Sequence, residues 1–219
     1  MHFLSHYYVD RQVDNPYLVL GALLPDISPG FTRTYNGVIR KRDWAPEGAI
    51  GSIHRGVLRH YAVDAQFHEM TAFHDACSKA IRLMMEAGLD RNKYRLSFLA
   101  HIAIEVMLDK QLIVQNSGLI NVYYNLLESI QKDNLGVYLS HIMPDSQGER
   151  TLFAFGRFME VKFLQYMGET EGAAEGITRT AKVAIGVDFP QEDRVKLITA
   201  LHNIENEMRY SWNKLLEIK

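Results

Sequence analysis

Hydrophobic residues recur every three or four positions along most of this chain, which is the spacing of the apolar face of an α-helix. The pattern predicts one helix that opens with Asn15 and Pro16, another over about 46–74 and another over about 90–115. The same period continues through three further segments towards the C-terminus, and strand-like alternation is nearly absent. We therefore predict an all-α protein, with roughly seven to nine helices in one bundle. The prediction treats residues 1–219 as a single helical domain.

One segment interrupts the helical pattern. The stretch PDISPGFTRTYNGVIRKRDWAPEG holds three prolines and three glycines, so it is predicted to be mostly loop. Four basic residues cluster in this loop: Arg33, Arg40, Lys41 and Arg42. Such a cluster is either simply solvated or steers an acidic protein partner towards the molecule.

Composition narrows the range of functions. A formal net charge of -2 gives no reason to expect binding to nucleic acid or to an anionic membrane. No apolar run approaches the ~18 residues of a membrane span, and charged residues break the N-terminal segment, which does not resemble a signal peptide. The single cysteine, Cys77, cannot form an internal disulfide, which favours a reducing, cytoplasmic location.

Polar residues interrupt the apolar faces of two predicted helices at four-residue intervals. A step of four residues advances ~6 Å along a helix with only ~40° of rotation, so residues at this spacing share one face. Burying such groups without partners costs several kcal/mol, and a divalent ion between two facing helices would compensate several of them at once. The two stripes are His60, Asp64 and His68 in the first helix, and His101, Glu105 and Asp109 in the second.

Two interpretations of these stripes stay open at this point. They form either a metal centre with one or two ions, or a buried network of His–carboxylate pairs. In the metal interpretation, Asp64 and Glu105 face each other across the centre with the other four residues above and below. His6 and Asp26 are further candidate ligands, because each interrupts an apolar N-terminal segment. His2 has no partner at ligand spacing and is expected to be structural or exposed.

Several short motifs resemble the acyl carrier protein phosphodiesterases, an all-helical family related to the HD-type metal phosphohydrolases. The opening MHFLSHYYVD followed by GALLPD is similar to the start of that family, and HYAVDAQFH and EVMLDK stand where its later motifs occur. The resemblance covers roughly residues 1–115. This chain departs from the family pattern in carrying Tyr61 for an arginine, His68 for an aspartate and Lys110 for a histidine.

The resemblance implies a metal-dependent hydrolase that releases 4'-phosphopantetheine from acyl carrier protein. Carried over by position, its metal ligands are His6, Asp26, His60, Asp64, His68, Glu105 and Asp109, whereas His101 rests on spacing alone. Histidine ligands favour manganese or zinc over magnesium. Asp64, Lys110 and Arg55 are the candidate catalytic residues, and the basic loop is the candidate contact for acyl carrier protein.

Two alternatives accompany this expectation. The stretch RHYAVD also resembles an element of the zinc-dependent phospholipases C and single-strand-specific nucleases, which are helical and hydrolyse other phosphodiesters. The second alternative is a non-catalytic helical protein that retains a metal site.

Overall fold

The computed structural model describes residues 1–28, 31 and 47–218. These residues confirm the prediction of an all-α protein, because they form helices and no strand, and their ten α-helices exceed the seven to nine that were expected. Within this part of the chain the α-helices are α1 (Phe3–Val9), α2 (Pro16–Ile27), α3 (Gly48–Glu69), α4 (Thr71–Glu86), α5 (Leu96–Gln115), α6 (Leu119–Glu128), α7 (Lys132–Ile142), α8 (Asp145–Val161), α9 (Thr170–Ile185) and α10 (Gln191–Met208). Short 3₁₀ helices follow α8 and α10, at Phe163–Tyr166 and Trp212–Leu216. No described helix combines the length and hydrophobicity needed to cross a membrane.

The described residues group into two compact units. The first contains Met1, residues 3–65 and residues 118–163, and the second contains His2, residues 66–117 and residues 164–219. The boundary between them falls inside the sequence of α3, after Ala65. The expectation that the whole chain is a single domain stays a prediction.

In the first unit, α2 packs against α1, α6 and α8. The start of α2 is fixed as the sequence predicts: the Asn15 side chain accepts hydrogen bonds from the backbone N–H groups of Tyr17 and Leu18, and Pro16 occupies the first helical position. At the middle of α2, Gly21 lies against Gly56 of α3 with no side chain between the two backbones. This close crossing brings the second half of α2 beside α3.

In the second unit, α5 is surrounded by α4, α9, α10 and the C-terminal 3₁₀ helix. Because neighbours cover it on several sides, even its polar residues Asp109, Lys110 and Gln111 are buried. At these three positions a polar residue type therefore does not indicate exposure.

The helix boundaries differ from the predictions at three places. The segment predicted as one helix over 46–74 is divided at Met70, whose backbone is extended, so that α4 begins at Thr71. The helix predicted over 90–115 begins only at Leu96. Before it, the backbone N–H groups of Lys93 and Tyr94 donate to the Asp90 carbonyl oxygen in a turn, and Tyr94 is buried with its ring stacked on Phe189 at 4.4 Å. The stretch predicted as mostly loop starts later than expected, because α2 continues through Pro25 to Ile27. The rest of that stretch up to residue 46, with Arg33, Arg40, Lys41 and Arg42, lies almost entirely outside the described residues.

Candidate metal centres

Three helices of the first unit bring together His6 of α1, Asp26 of α2 and His60 of α3. Each offers one ligand atom, and these atoms lie within 4.8 Å of one another. Both histidines are buried, at 3% and 4% exposure, whereas Asp26 is half-buried. The imidazole rings of His6 and His60 stack at a centroid distance of 4.0 Å. This triple has the residue types and the separation of a divalent-metal site.

The orientation of His60 is set by the backbone of α2. Its Nδ1 donates a hydrogen bond to the carbonyl oxygen of Ala22 at 2.8 Å, which directs Nε2 towards Asp26. Nε2 lies 3.9 Å from Asp26 Oδ1, which is longer than a hydrogen bond. Two ligands at ~2.1 Å from one tetrahedral ion are about 3.4 Å apart, so a small contraction would place both atoms on the same ion. A backbone carbonyl that orients a ligating histidine is a common feature of metal sites.

The second unit holds another triple, His68 at the end of α3 with His101 and Glu105 of α5. Here one carboxylate oxygen, Glu105 Oε1, lies 3.0 Å from His68 Nε2 and 3.1 Å from His101 Nε2. The ring of Phe73 packs against both imidazoles, at 5.1 Å from each. The three side chains therefore already satisfy one another through hydrogen bonds, and the same atoms could instead hold an ion.

The charge state of Glu105 follows from its surroundings. Burial by itself raises the pKa of this carboxyl, but nearby positive charge and the hydrogen bonds from His101 and His68 outweigh that effect and hold the pKa well below its usual range. Glu105 is therefore a carboxylate at neutral pH. An ionised carboxylate between two imidazoles is suited either to a His–Glu–His network or to a cation.

Two predicted ligands belong to neither triple. Asp64 accepts a hydrogen bond from the amino group of Met1 at 2.6 Å. Asp109, which is fully buried, pairs with Nδ1 of His2 at 2.9 Å. The eight predicted ligands thus divide into two triples and two carboxylates that bind N-terminal residues. The idea that Asp64 and Glu105 face each other across one metal centre stays a prediction.

The candidate catalytic cations have protein partners. The Lys110 ammonium is buried and lies 2.5 Å from Glu205 Oε1, which also accepts a hydrogen bond from the Gln111 side chain. Burial raises the pKa of Glu205, but these two donors more than offset that effect, and the pKa is lower than normal. Arg55 is exposed and donates to Ser52 Oγ at 2.9 Å. Catalytic roles for Asp64, Lys110 and Arg55 stay predictions.

Sequence reasoning missed several contributors to these sites. It gave His2 no partner, although the structure pairs this residue with Asp109. It also missed the Ala22 carbonyl and Glu205, because each acts across a long-range contact that leaves no local pattern in one sequence. The Gly21–Gly56 crossing had a weak signal, since a glycine four residues before His60 interrupts an otherwise regular helical pattern.

Comparison with models of protein families, with curated proteins and with solved structures finds no match for this chain.

Proposed function

We propose that this protein is a divalent-metal-dependent phosphodiester hydrolase that holds its ion at His6, Asp26 and His60. The observation that carries the proposal is the orientation of His60. Its Nδ1 is bound to the Ala22 carbonyl, and its Nε2 stands 3.9 Å from a carboxylate oxygen in a buried position. A residue pair that served only to satisfy each other would close to hydrogen-bond distance, as His68 and Glu105 do.

The nitrogen and oxygen donors of this triple fit a transition-metal ion that binds both atom types. Two imidazole nitrogens and one carboxylate oxygen suit zinc or manganese better than magnesium or calcium, which prefer all-oxygen sites. Three protein ligands also leave a coordination position open, as catalytic zinc sites do. When bound, such an ion polarises a phosphoryl oxygen and lowers the pKa of a bound water. The protein contributes the fixed ligand geometry and a largely buried surrounding.

The second triple, in the other unit, is a separate candidate site for an ion. Its His68 and His101 side chains are 30% and 41% exposed, so solvent and ions can reach them, whereas Glu105 is 12% exposed. An ion there would replace the two hydrogen bonds to Glu105 with bonds to all three side chains.

The proposed substrate class rests on the resemblance to acyl carrier protein phosphodiesterases. His6, Asp26 and His60 occupy matched motif positions, and the structure gathers these three residues into one triple. We propose release of 4'-phosphopantetheine from acyl carrier protein, with Arg33, Arg40, Lys41 and Arg42 as the contact for the acidic partner. These four residues lie outside the described part of the chain. A phospholipid or a nucleotide is the alternative phosphodiester.

One observation favours a second candidate, a metal-binding helical protein without catalytic activity. Lys110, which the sequence suggests as a phosphate contact, is 7% exposed in its side chain and is paired with Glu205. Binding a substrate phosphate would require this ion pair to open. A protein that only binds metal would keep the pair intact.

The proposal is tested by measuring metal content and hydrolysis in the same preparations. Wild-type protein is loaded with Zn²⁺ or Mn²⁺ and assayed with holo-acyl carrier protein, bis-p-nitrophenyl phosphate, nucleotides and phosphatidylcholine. His60→Asn should lose one bound ion and at least about 100-fold of the hydrolytic rate, because both the ligand and its orientation by Ala22 are removed.

A matched control is His141→Gln, which changes an exposed histidine of the same unit whose Nδ1 donates a hydrogen bond to the Val137 carbonyl oxygen of its own helical turn. This control should retain metal and activity. Metal binding without hydrolysis of any of the four substrates would support the non-catalytic candidate. Hydrolysis that persists in metal-free protein would contradict the proposal.

A further inference from the structure

We propose that Gly21 and Gly56 are positioning residues that set the spacing between His60 and Asp26, and thereby the affinity of the first unit for a divalent ion. The inference rests on the proposed function, because it assigns a role in metal binding to residues that touch no ion. Beyond the ligands themselves, the two glycines would fix the separation of α2, which carries Asp26, from α3, which carries His60.

The backbones of α2 and α3 meet at these glycines more closely than any side chain would allow. A methyl group added at Gly56 would lie 2.2 Å from the Leu18 carbonyl oxygen and 2.8 Å from the Gly21 Cα atom. A methyl group added at Gly21 would lie 2.0 Å from the Ile53 carbonyl oxygen. The obstructing atoms belong to the backbones of regular helices, so they cannot move aside as a flexible side chain would.

The metal ligands lie about one helical turn beyond this crossing. His60 follows Gly56 by four residues on α3, and Ala22 and Asp26 follow Gly21 on α2. Both the 2.8 Å hydrogen bond from His60 to Ala22 and the 3.9 Å separation of His60 from Asp26 therefore span the same pair of helices. The distance between the helices at the glycines controls both.

The helix displacement that a side chain at Gly56 would cause is large compared with the tolerance of a metal site. Restoring an ordinary contact of ~3.4 Å from 2.2 Å requires the helices to separate by about 1 Å. Ligand distances in a metal site are held to about ±0.2 Å. Separation by about 1 Å would thus break the His60–Ala22 hydrogen bond and place Asp26 too far from His60 to share an ion.

Other helical glycines of the same unit show that the crossing is specific. A methyl group added at Gly136 of α7 or Gly156 of α8 meets nothing within 4 Å. Alanine at those positions removes the conformational cost of glycine in a helix, so neither substitution should destabilise the protein. Gly136→Ala and Gly156→Ala are therefore matched controls for Gly56→Ala.

The test is a titration with Co²⁺, whose visible absorption reports the geometry of the ligands, at a temperature at which circular dichroism shows each variant folded. Gly56→Ala should bind Co²⁺ at least about tenfold more weakly than wild type, with a weaker absorption band, whereas both controls should match wild type. If Gly56 has a purely structural role, Gly56→Ala should lower the melting temperature and leave the Co²⁺ affinity of the folded protein unchanged. That outcome would overturn the inference and leave the metal site intact.

If Gly56→Ala does not fold, the wild type decides the question. Structures with and without Zn²⁺ should show the same close contact between Gly21 and Gly56, because the glycines set the spacing before the ion binds. Helices that separate by more than about 1 Å on binding Zn²⁺ would overturn the inference. A wild type that binds neither Co²⁺ nor Zn²⁺ would refute the proposed function itself. Equal binding by wild type and Gly56→Ala would instead refute only the role of the glycines.

Discussion

At the scale of single residues, His60 and His68 show how two histidines of one helix reach different chemical situations. Both lie on α3, and each stands near a carboxylate. His60 is held by a backbone carbonyl and remains 3.9 Å from Asp26, whereas His68 contacts Glu105 at 3.0 Å. Residue type alone suggests the same role for both. The two histidines differ in their contacts: His60 donates to the Ala22 carbonyl oxygen and does not reach hydrogen-bond distance from Asp26, whereas His68 hydrogen-bonds to Glu105.

The Lys110–Glu205 pair leads to a prediction about pH and stability. Glu205→Gln should lower the free energy of unfolding at pH 7 by about 2 kcal/mol, because a buried lysine loses its charged partner. The pKa of Glu205 is lowered in the folded protein from 4.5, so its contribution is present above that pH and is lost as the pH falls through the folded pKa. Urea unfolding between pH 7 and pH 3 should therefore show the two proteins converging in stability as the pH falls.

Glu207→Gln on the same helix provides the control for that experiment. Glu207 pairs with Arg82, whose side chain is 49% exposed, and exposed ion pairs contribute little to stability because water screens them. Its loss should change stability at pH 7 much less than Glu205→Gln does. Equal losses of stability from the two substitutions would show that the buried Lys110–Glu205 pair contributes no more to the free energy of unfolding than the exposed Arg82–Glu207 pair.

The residues of the first triple were within reach of sequence analysis, but their grouping was not. Four-residue spacing identified His60 and His68 as sharing a helix face, and interruptions of apolar segments identified His6 and Asp26. Spacing describes neighbours on one helix only. The three-helix grouping of His6, Asp26 and His60 depends on how closely α2 approaches α3, which one sequence does not encode in a local pattern.

At the scale of elements, α2 begins at a helix start that the sequence predicts and carries a candidate metal ligand near its end. Asn15 and Pro16 fix where this helix begins, the Gly21–Gly56 contact fixes how closely it approaches α3, and Asp26 lies near its end. Pro25 lacks an N–H, so the carbonyl of Gly21 loses its intrahelical donor close to the ligand-bearing turn. The start of the helix was predictable because capping is local, whereas the crossing was not.

The cap of α2 gives a prediction at this scale. Asn15→Ala should lower the free energy of unfolding by about 1 kcal/mol, because two N–H groups of the first turn lose their acceptor. Thermal or urea unfolding measures the effect. The control is Gln131→Ala before α7, where the side chain makes no capping hydrogen bond, and a cost equal to that of Asn15→Ala would contradict the assigned role of the cap.

Helix boundaries were the weakest part of the sequence prediction. The division of the helix at Met70 follows no proline or glycine, and the turn before α5 contains Tyr94, whose ring stacks on Phe189. Nearly one hundred residues separate those two rings in sequence. At both positions the local hydrophobic period continues where the backbone is not helical.

At the scale of the whole molecule, the hydrophobic period was sufficient to predict the fold class. Every element of the described residues is helical, and the described chain forms two compact units, each with one triple of ligand-type side chains. No sequence feature marks this division, because the boundary falls within the continuous helix α3 rather than in a linker. Grouping by unit explains why the ligand candidates form two triples.

The most direct test of the central claim is the thermal melting of wild type and Asp26→Asn, each in Zn²⁺ and in excess chelator. An ion at about 100 times its dissociation constant stabilises the native state by about 2.7 kcal/mol, which corresponds to roughly 5–10 °C for a chain of this size. We expect wild type to melt at that much higher temperature in Zn²⁺ than in chelator, and Asp26→Asn to lose most of the difference. A wild-type melting temperature that is the same in Zn²⁺ and in chelator, or an undiminished difference in Asp26→Asn, would contradict metal binding at His6, Asp26 and His60.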